Sequence, residues 1–315
     1  MADEVKIEQR DVAEACTEYL NIFAANKNLY RVIPSLIDGL KPGLRRILYS
    51  MYIMGNHKKF HKVTSYVGFT MGHFHPHGDA SIYDTLVGSA QWWNNNMPVI
   101  DGQGNFGSVA GDSAAAGRYI EARLSEYAYK CFFEDFKNSI VDMKDNFAGD
   151  ELEPEYLPAK YPHVLLNGPL GIGTGMSSNI PAYNFKEVME ATIKLIKNQE
   201  SPIFLIPDSP TGAIVLDEGK FQDITDTGKG TFTMRGEFVV NEKENYIEIV
   251  SIPYQMTLDK IKDKIIDLID EKKITGIIDI KDNSNEENGI SCKLILKPNI
   301  NPYEIIEYIY KRGAS

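Results

Sequence analysis

Four residues, His75-Pro76-His77-Gly78, divide two stretches of helical spacing, 63–73 and 79–92. Proline and glycine so close together force a tight turn. The stretch therefore reads as helix, short turn, helix, an arrangement that can set its second helix in a DNA groove. Asp79 is read as the N-cap of that second helix. Upstream, Asp38-Gly39-Leu40-Lys41-Pro42-Gly43 is a turn leading into another helix. Pro42 suits its first position, and Leu44, Ile47, Leu48 and Met51 make its apolar stripe. Residues 9–24 have helical spacing and form a first helix or arm. Residues 97–124 lack a helical period and read as loops and short strands, as a wing would. A winged-helix domain over 31–155, preceded by an arm over 1–30, is the simplest assembly.

Residues 151–163 form an acidic, proline-bearing connector. Beyond it, strand-like runs alternate with turns: Val164-Leu165-Leu166, Gly212-Ala213-Ile214-Val215-Leu216, Thr231-Phe232-Thr233-Met234 and Tyr246-Ile247-Glu248-Ile249-Val250. A helix over 258–272 carries Ile261, Ile265, Leu268 and Ile269 on one face. Strands near 276–281 and 291–297 and a helix over 302–311 complete an α+β second domain over 156–315. No internal repeat or low-complexity tract is present.

A chain of 315 residues has room for two domains with cores of their own. No run of 18 apolar residues occurs, so no membrane span is expected. Met1-Ala2-Asp3-Glu4-Val5-Lys6 is acidic and polar, unlike a signal peptide. Cys16, Cys131 and Cys292 are far apart and in no metal spacing, which reads as reduced thiols in a cytoplasmic protein. The net charge of −11 argues against nucleic acid only as an average. From Lys27 to His77 the cations are Lys27, Arg31, Lys41, Arg45, Arg46, Lys58, Lys59 and Lys62, against the single acid Asp38. Five histidines lie in the same segment, at 57, 61, 73, 75 and 77. The acids gather at 144–155 and 258–287. Such segregation suggests a basic, DNA-facing surface on an acidic body.

Chemistry is carried by Arg118-Tyr119. A neutral phenol, with an ordinary pKa of about 10, is a poor nucleophile. Beside a cation it can attack phosphorus, and the phosphotyrosine ester so formed keeps the energy of the broken bond for resealing. Arg118 offers a permanently charged planar fork suited to phosphate oxygens and to charge developing in a transition state. Taken alone, the pair is most simply a strand tyrosine with a solvated neighbour. His75-x-His77 could supply two zinc ligands, but no third and fourth sit at usable spacing. The glycine-rich Asn167–Met176 stretch lacks the Lys-Ser/Thr of a P-loop and opens no helix.

Together, four motifs resemble the DNA-cleaving subunit of type IIA topoisomerases, the gyrase A and topoisomerase IV class. They are Asp38–Arg46 with Arg31 ahead of it, His75–Asp79, Asp101–Ser108 followed by Ala114–Leu124, and Asn167–Met176 ending in Ser178-Asn179-Ile180-Pro181. The resemblance runs from about residue 8 almost to the chain end. It implies that Tyr119 forms a 5′-phosphotyrosyl link assisted by Arg118, with His75 and His77 beside the cleaved phosphate. It implies that Arg31, Lys41, Arg45 and Arg46 grip the backbone of double-stranded DNA, contacts that set position rather than sequence preference. Where the family often has histidine or glutamine, Leu44 stands, and no DNA contact is assigned to it. Ile172 occupies the position of an isoleucine that wedges between base pairs. The second domain is then tower-like.

The same resemblance implies a homodimer that joins a gyrase B-like partner into a heterotetramer. That partner carries the Toprim domain that holds Mg²⁺ and the ATPase that consumes ATP. A coiled coil closing the dimer is expected to be absent or truncated here, since Tyr310–Ser315 falls near where it would begin. In the bacterial enzymes, a serine just after His-Pro-His-Gly-Asp and an acid four positions on anchor quinolones through a water–Mg²⁺ bridge. The matching residues here are Ala80 and Asp84. The reading from another class is a non-catalytic DNA-bending module of the same fold; intact Arg118, Tyr119, His75 and His77 weigh against it.

Overall fold

The computed structural model describes residues 10–55, 57–136, 140–198, 203–216, 219–285 and 289–312. The first nine residues of the expected arm, Glu286 and Glu287 of the acidic stretch and the final residues 313–315 lie outside it. The first helix, α1 (Val12–Lys27), starts where Asp11 accepts from the Ala13 and Glu14 N–H groups. It buries no residue and runs into a wide π-type turn, Asn28–Val32. Then come α2 (Pro42–Ile53), with Pro42 at its first position, α3 (Val63–His73) and α4 (Asp79–Ala90). Three short strands, β1 (His61–Lys62), β2 (Ile100–Gln103) and β3 (Glu121–Leu124), form an antiparallel sheet in the order β1-β3-β2.

Helices and sheet share one core, in which Ile47, Leu48, Met51, Tyr66, Leu86 and Phe132 are fully enclosed. Each such side chain contributes roughly 1.5–3 kcal/mol, and together they fix α2, α3 and α4 around the sheet. After β3 the chain makes α5 (Glu126–Ala128), a second π-type turn over Tyr129–Phe133, and the hairpin β4 (Met143–Asp145) with β5 (Leu152–Pro154).

The rest is α+β. It begins with α6 (His163–Asn167), the hairpin β6 (Leu170–Ile172) with β7 (Ser177–Asn179), and α7 (Phe185–Ile196). Strand β8 (Ile214–Leu216) pairs with β9 (Thr233–Arg235), and α8 (Phe221–Thr227) lies between them in sequence. A four-stranded antiparallel sheet follows, from β10 (Phe238–Asn241), β11 (Tyr246–Ile249), β12 (Ile277–Asp282) and β13 (Cys292–Leu296), in the order β10-β11-β13-β12. Helices α9 (Leu258–Asp270) and α10 (Pro302–Lys311) supply Ile261, Ile265, Ile305 and Ile309 to a second core with this sheet. Val109, from the loop between β2 and β3, is buried in that second core. The N–H groups of Leu258 and Asp259, at the start of α9, donate to the Val109 and Ala110 carbonyls. No helix among the described residues is long and apolar enough to cross a membrane.

Three expectations are corrected. Val164-Leu165-Leu166 is not a strand but most of α6. It is short because Gly168 ends it in the left-handed region. Helices α7 and α8 stand where only strands and turns were expected. Their isoleucine, valine and threonine content reads as strand, although Asn184 caps α7 by accepting from the Lys186 N–H. Asp79 is the first residue of α4 rather than its cap. Gly78 holds the cap position with extended backbone and no side-chain bond. An acid in the first turn still complements the helix dipole.

Candidate active site

Tyr119 ends a tight turn, Gly117-Arg118-Tyr119, just ahead of β3. The turn is braced on three sides. The Tyr119 N–H donates to the Ala116 carbonyl at 2.8 Å, and the Thr64 N–H at the start of α3 donates to the Gly117 carbonyl at 3.2 Å. The Tyr83 hydroxyl of α4 donates to the Ala115 carbonyl at 2.6 Å. Ile120 is buried in the first core while its neighbour Tyr119 is 65% exposed. Buried Ile120 thus anchors the end of the turn, and the turn leaves Tyr119 outside. The Arg118 guanidinium lies over the Tyr119 ring, 4.6 Å from its centroid. Arg118 makes no ion pair among the described residues, so its N–H groups face solvent.

A second group of functional side chains surrounds a cleft of about 530 Å³ lined by Arg31, Lys41, His75, His77, Asn167 and Tyr254, among others. The His75 and His77 rings are 4.3 Å apart, edge to face. Burial, then His77, Arg46 and Arg31, lower the His75 pKa to about 4. Burial and the same two arginines also lower that of His77. His75 is therefore neutral at neutral pH. An Arg46 N–H meets His75 Nδ1 at 3.0 Å. Since arginine only donates, Nδ1 is the acceptor and Nε2 carries the proton, leaving an N–H to offer an anion. Burial lowers the pKa of Lys41, at the N-cap position of α2.

Arg45 and Arg46 depart from the expectation that both grip DNA. Arg45 is buried and donates to both oxygens of Asp38, at 2.6 and 3.0 Å. Asp38, with no exposed surface, also accepts from the Leu40 and Leu157 N–H groups. This ion pair ties the turn before α2 to the segment after β5. In the same turn Gly39 has φ of +70° and backs onto α6; a β-carbon there would lie 2.5 Å from the Val164 nitrogen. Arg46 forms a two-pronged pair with Glu153, both bonds 2.7 Å, and turns its remaining nitrogen to His75. Its geometry suits orienting the imidazole. Glu153 lies in the stretch read as an acidic connector, yet it is 3% exposed. Nothing in the sequence pairs it with an arginine 107 positions away.

Ile172 ends β6 and is 70% exposed. Ala80 and Asp84 are exposed on α4, four residues apart and so on one face. Ser81 lines the cleft, and its hydroxyl donates to the Gly78 carbonyl at 2.8 Å. The structure thus brings Arg31, Lys41, His75 and His77 together and holds Arg118 with Tyr119. It does not bring Tyr119 into the cleft of the two histidines. Sequence reasoning missed two further residues here. His163, the enclosed first residue of α6, lines the cleft, and its Nδ1 shares a hydrogen bond with the Tyr127 hydroxyl at 2.9 Å. Asn28 contacts the hairpin that carries Ile172.

The donor set does not fit a resident Mg²⁺. Arg31 and Arg46 surround the histidines, and Glu121, near the tyrosine turn, is paired with Lys62 at 2.9 Å. Among the described residues no group of three or more histidine, cysteine or acidic side chains is arranged to hold a metal ion.

The family model for the A subunit of DNA gyrase/topoisomerase IV matches residues 31–314. The DNA gyrase A subunit of Rickettsia prowazekii (strain Madrid E) is 41% identical over 309 aligned residues, 94% of this chain and 34% of that protein. That of Clostridium acetobutylicum is 38% identical over 322 aligned residues, 99% of this chain and 39% of its own. That of Staphylococcus epidermidis is 36% identical over 318, or 98% and 36%. The chain spans between 34% and 39% of the length of these three relatives. With a family model matched over most of its length, the chain belongs to the family of DNA gyrase and topoisomerase IV A subunits.

Proposed function

We propose that this chain cleaves and reseals DNA as a subunit of an ATP-dependent type IIA topoisomerase, with Tyr119 as the nucleophile. The observation that carries the reading is the tyrosine turn itself: an exposed phenol on a backbone braced by α3 and α4, under a guanidinium with no ion pair among the described residues. The Tyr119 oxygen attacks a phosphodiester phosphorus and loses its proton. The P–O3′ bond breaks, the 3′-oxygen takes up a proton, and the 5′-phosphate stays on the tyrosine. Reversal reseals the strand. Arg118 meets the phosphate oxygens as charge builds. His75, held by Arg46 with Nε2 protonated, donates to the phosphate from the cleft, and His77 stands beside it. Arg31 and Lys41 hold the backbone, and Ile172 wedges into the duplex. In this reading the chain comprises an arm, a winged-helix domain over 31–155 and a tower-like domain over 156–315.

Because Tyr119 does not line the histidine cleft, a bound duplex or a second copy of the chain completes the site. A homodimer sets two tyrosines on opposite strands, so that the break is double and a second duplex can pass. Mg²⁺ and ATP belong to a gyrase B-like partner with Toprim and ATPase segments. The test is Tyr119→Phe, which removes one exposed hydroxyl and no packing. Unfolding and DNA affinity should match the wild type, and the denaturant-resistant protein–DNA adduct formed with the partner and Mg²⁺ should vanish. An adduct formed by the phenylalanine variant overturns the assignment. A wild-type chain that bends DNA but forms no adduct would instead be a non-catalytic module.

A further inference from the structure

Among the described residues, the hairpin that carries Ile172 has no larger sheet behind it. Strand β6 pairs there with β7 alone, three residues to a side, and a two-stranded ribbon is marginal in water by itself. A side chain that pries stacked bases apart pushes back on its own backbone, so the hairpin has to be held. Asn28, at the start of the turn after α1, meets the hairpin tip with both ends of its side-chain amide. Its Nδ2 donates to the Thr174 carbonyl and its Oδ1 accepts from the Thr174 N–H, each at 2.9 Å. Asn28 is 6% exposed, so water competes little for these bonds. Gly173 leaves the room, because a β-carbon there would overlap Asn28 Oδ1. On the strand, Gly171 packs so near the Val32 carbonyl that a β-carbon would stand 2.8 Å from it. The amide satisfies Thr174 in both directions with one side chain. An aspartate offers two acceptors, and an apolar residue offers nothing.

We infer that Asn28 is a positioning residue for the DNA wedge: its side-chain amide clamps Thr174 and so fixes Ile172 while a duplex is bent over it. The inference rests on the proposed wedge role of Ile172. In this reading Asn28 is covered, carries no charge and touches no base, so it acts only through the hairpin.

The experiment measures DNA bending by energy transfer between the ends of a doubly labelled duplex, using the full chain with a gyrase B-type partner. Four variants are compared: Ile172→Ala, Asn28→Ala, Asn28→Asp and the double variant Asn28→Ala with Ile172→Ala. Asn28→Asp keeps the volume and the bond from the Thr174 N–H but sets an acceptor against the Thr174 carbonyl, and the unfolding midpoint of each variant, read alongside, separates loss of the clamp from a folding defect. Each single variant should lose most of the bend-dependent rise in energy transfer. The salt dependence of affinity should not change, because no cation is removed. The double variant should bend DNA no less than Ile172→Ala alone, since both changes act on one element. If the Asn28 variants bend DNA as the wild type does while Ile172→Ala does not, the wedge stands and the clamp falls. Additive losses in the double variant would place the effect of Asn28 elsewhere in the fold and overturn the inference. If Ile172→Ala bends DNA normally, the wedge reading fails and the clamp with it.

Discussion

Two adjacent arginines show how far residue type alone leads. Arg45 and Arg46 follow Lys41 in a basic helix start, and charge gives them the same expected role. The fold separates them: Arg45 is enclosed with Asp38, and Arg46 holds Glu153 and His75. Arg45→Ala leaves the Asp38 carboxylate buried without its cation, at a cost of about 3–5 kcal/mol, so denaturant unfolding should shift to a much lower midpoint. Lys41→Ala removes a cleft cation that makes no ion pair among the described residues. It should leave that midpoint nearly unchanged while lowering the slope of log affinity against log salt by about one. Swapped outcomes, with Lys41→Ala unfolding early and Arg45→Ala changing only the salt slope, would sink this division of roles. Tyr119, Arg118, His75 and His77 were open to nomination as candidates, because their motifs are local in sequence. Glu153, Asn28 and His163 were not, because their partners Arg46, Thr174 and Tyr127 are 107, 146 and 36 positions away.

Helices were legible wherever a turn residue and an apolar stripe coincide. Helix α3 spans Val63–His73 and α10 spans Pro302–Lys311, as their spacing predicts. Helix α7 was not, because Val188, Thr192, Ile193 and Ile196 are β-branched and weigh toward strand. The cap at Asn184 was the signal that could have found it. Helix α4 carries a prediction of its own. Ala80 and Asp84 are exposed on it and one turn apart, the two positions that in the resembled enzymes anchor quinolones. Ala80 has no oxygen to hold a bridging water. The neighbouring Ser81 points about 100° further round the helix, and its hydroxyl is engaged with the Gly78 carbonyl. Quinolones should therefore trap cleaved complexes weakly, and Ala80→Ser should lower the drug concentration needed. Equal cleavage titrations before and after the substitution would show that Ala80 does not limit binding.

Over the whole molecule, the basic segment is real in sequence but partly neutralised in the fold. Arg45, Arg46 and Lys62 are paired with acids, while Arg31 and Lys41 line the cleft. The charge count therefore overstates the cations left free to meet an anion. Enclosure has a second global consequence, through pH. Burial holds His163 at a pKa of about 4, and His75 is lowered to a similar value. In the unfolded chain both titrate near 6.5. Above that pH each is neutral in both states and folding meets no penalty. As pH falls from 6.5 toward 4, the unfolded chain takes up protons that the folded chain refuses, so stability drops across that window. For enclosed His163 the full effect is on the order of 3 kcal/mol; for part-exposed His75 it is smaller. Carboxylates also begin to titrate at the low end, so the informative quantity is a difference between two proteins. His163→Asn keeps an amide that can pair with the Tyr127 hydroxyl in either direction and removes the titrating ring. Between pH 7 and about pH 5 it should lose less unfolding free energy than the wild type. Parallel stability profiles for the two proteins would mean that His163 is not held neutral by the fold, and that the acid sensitivity of this chain lies elsewhere.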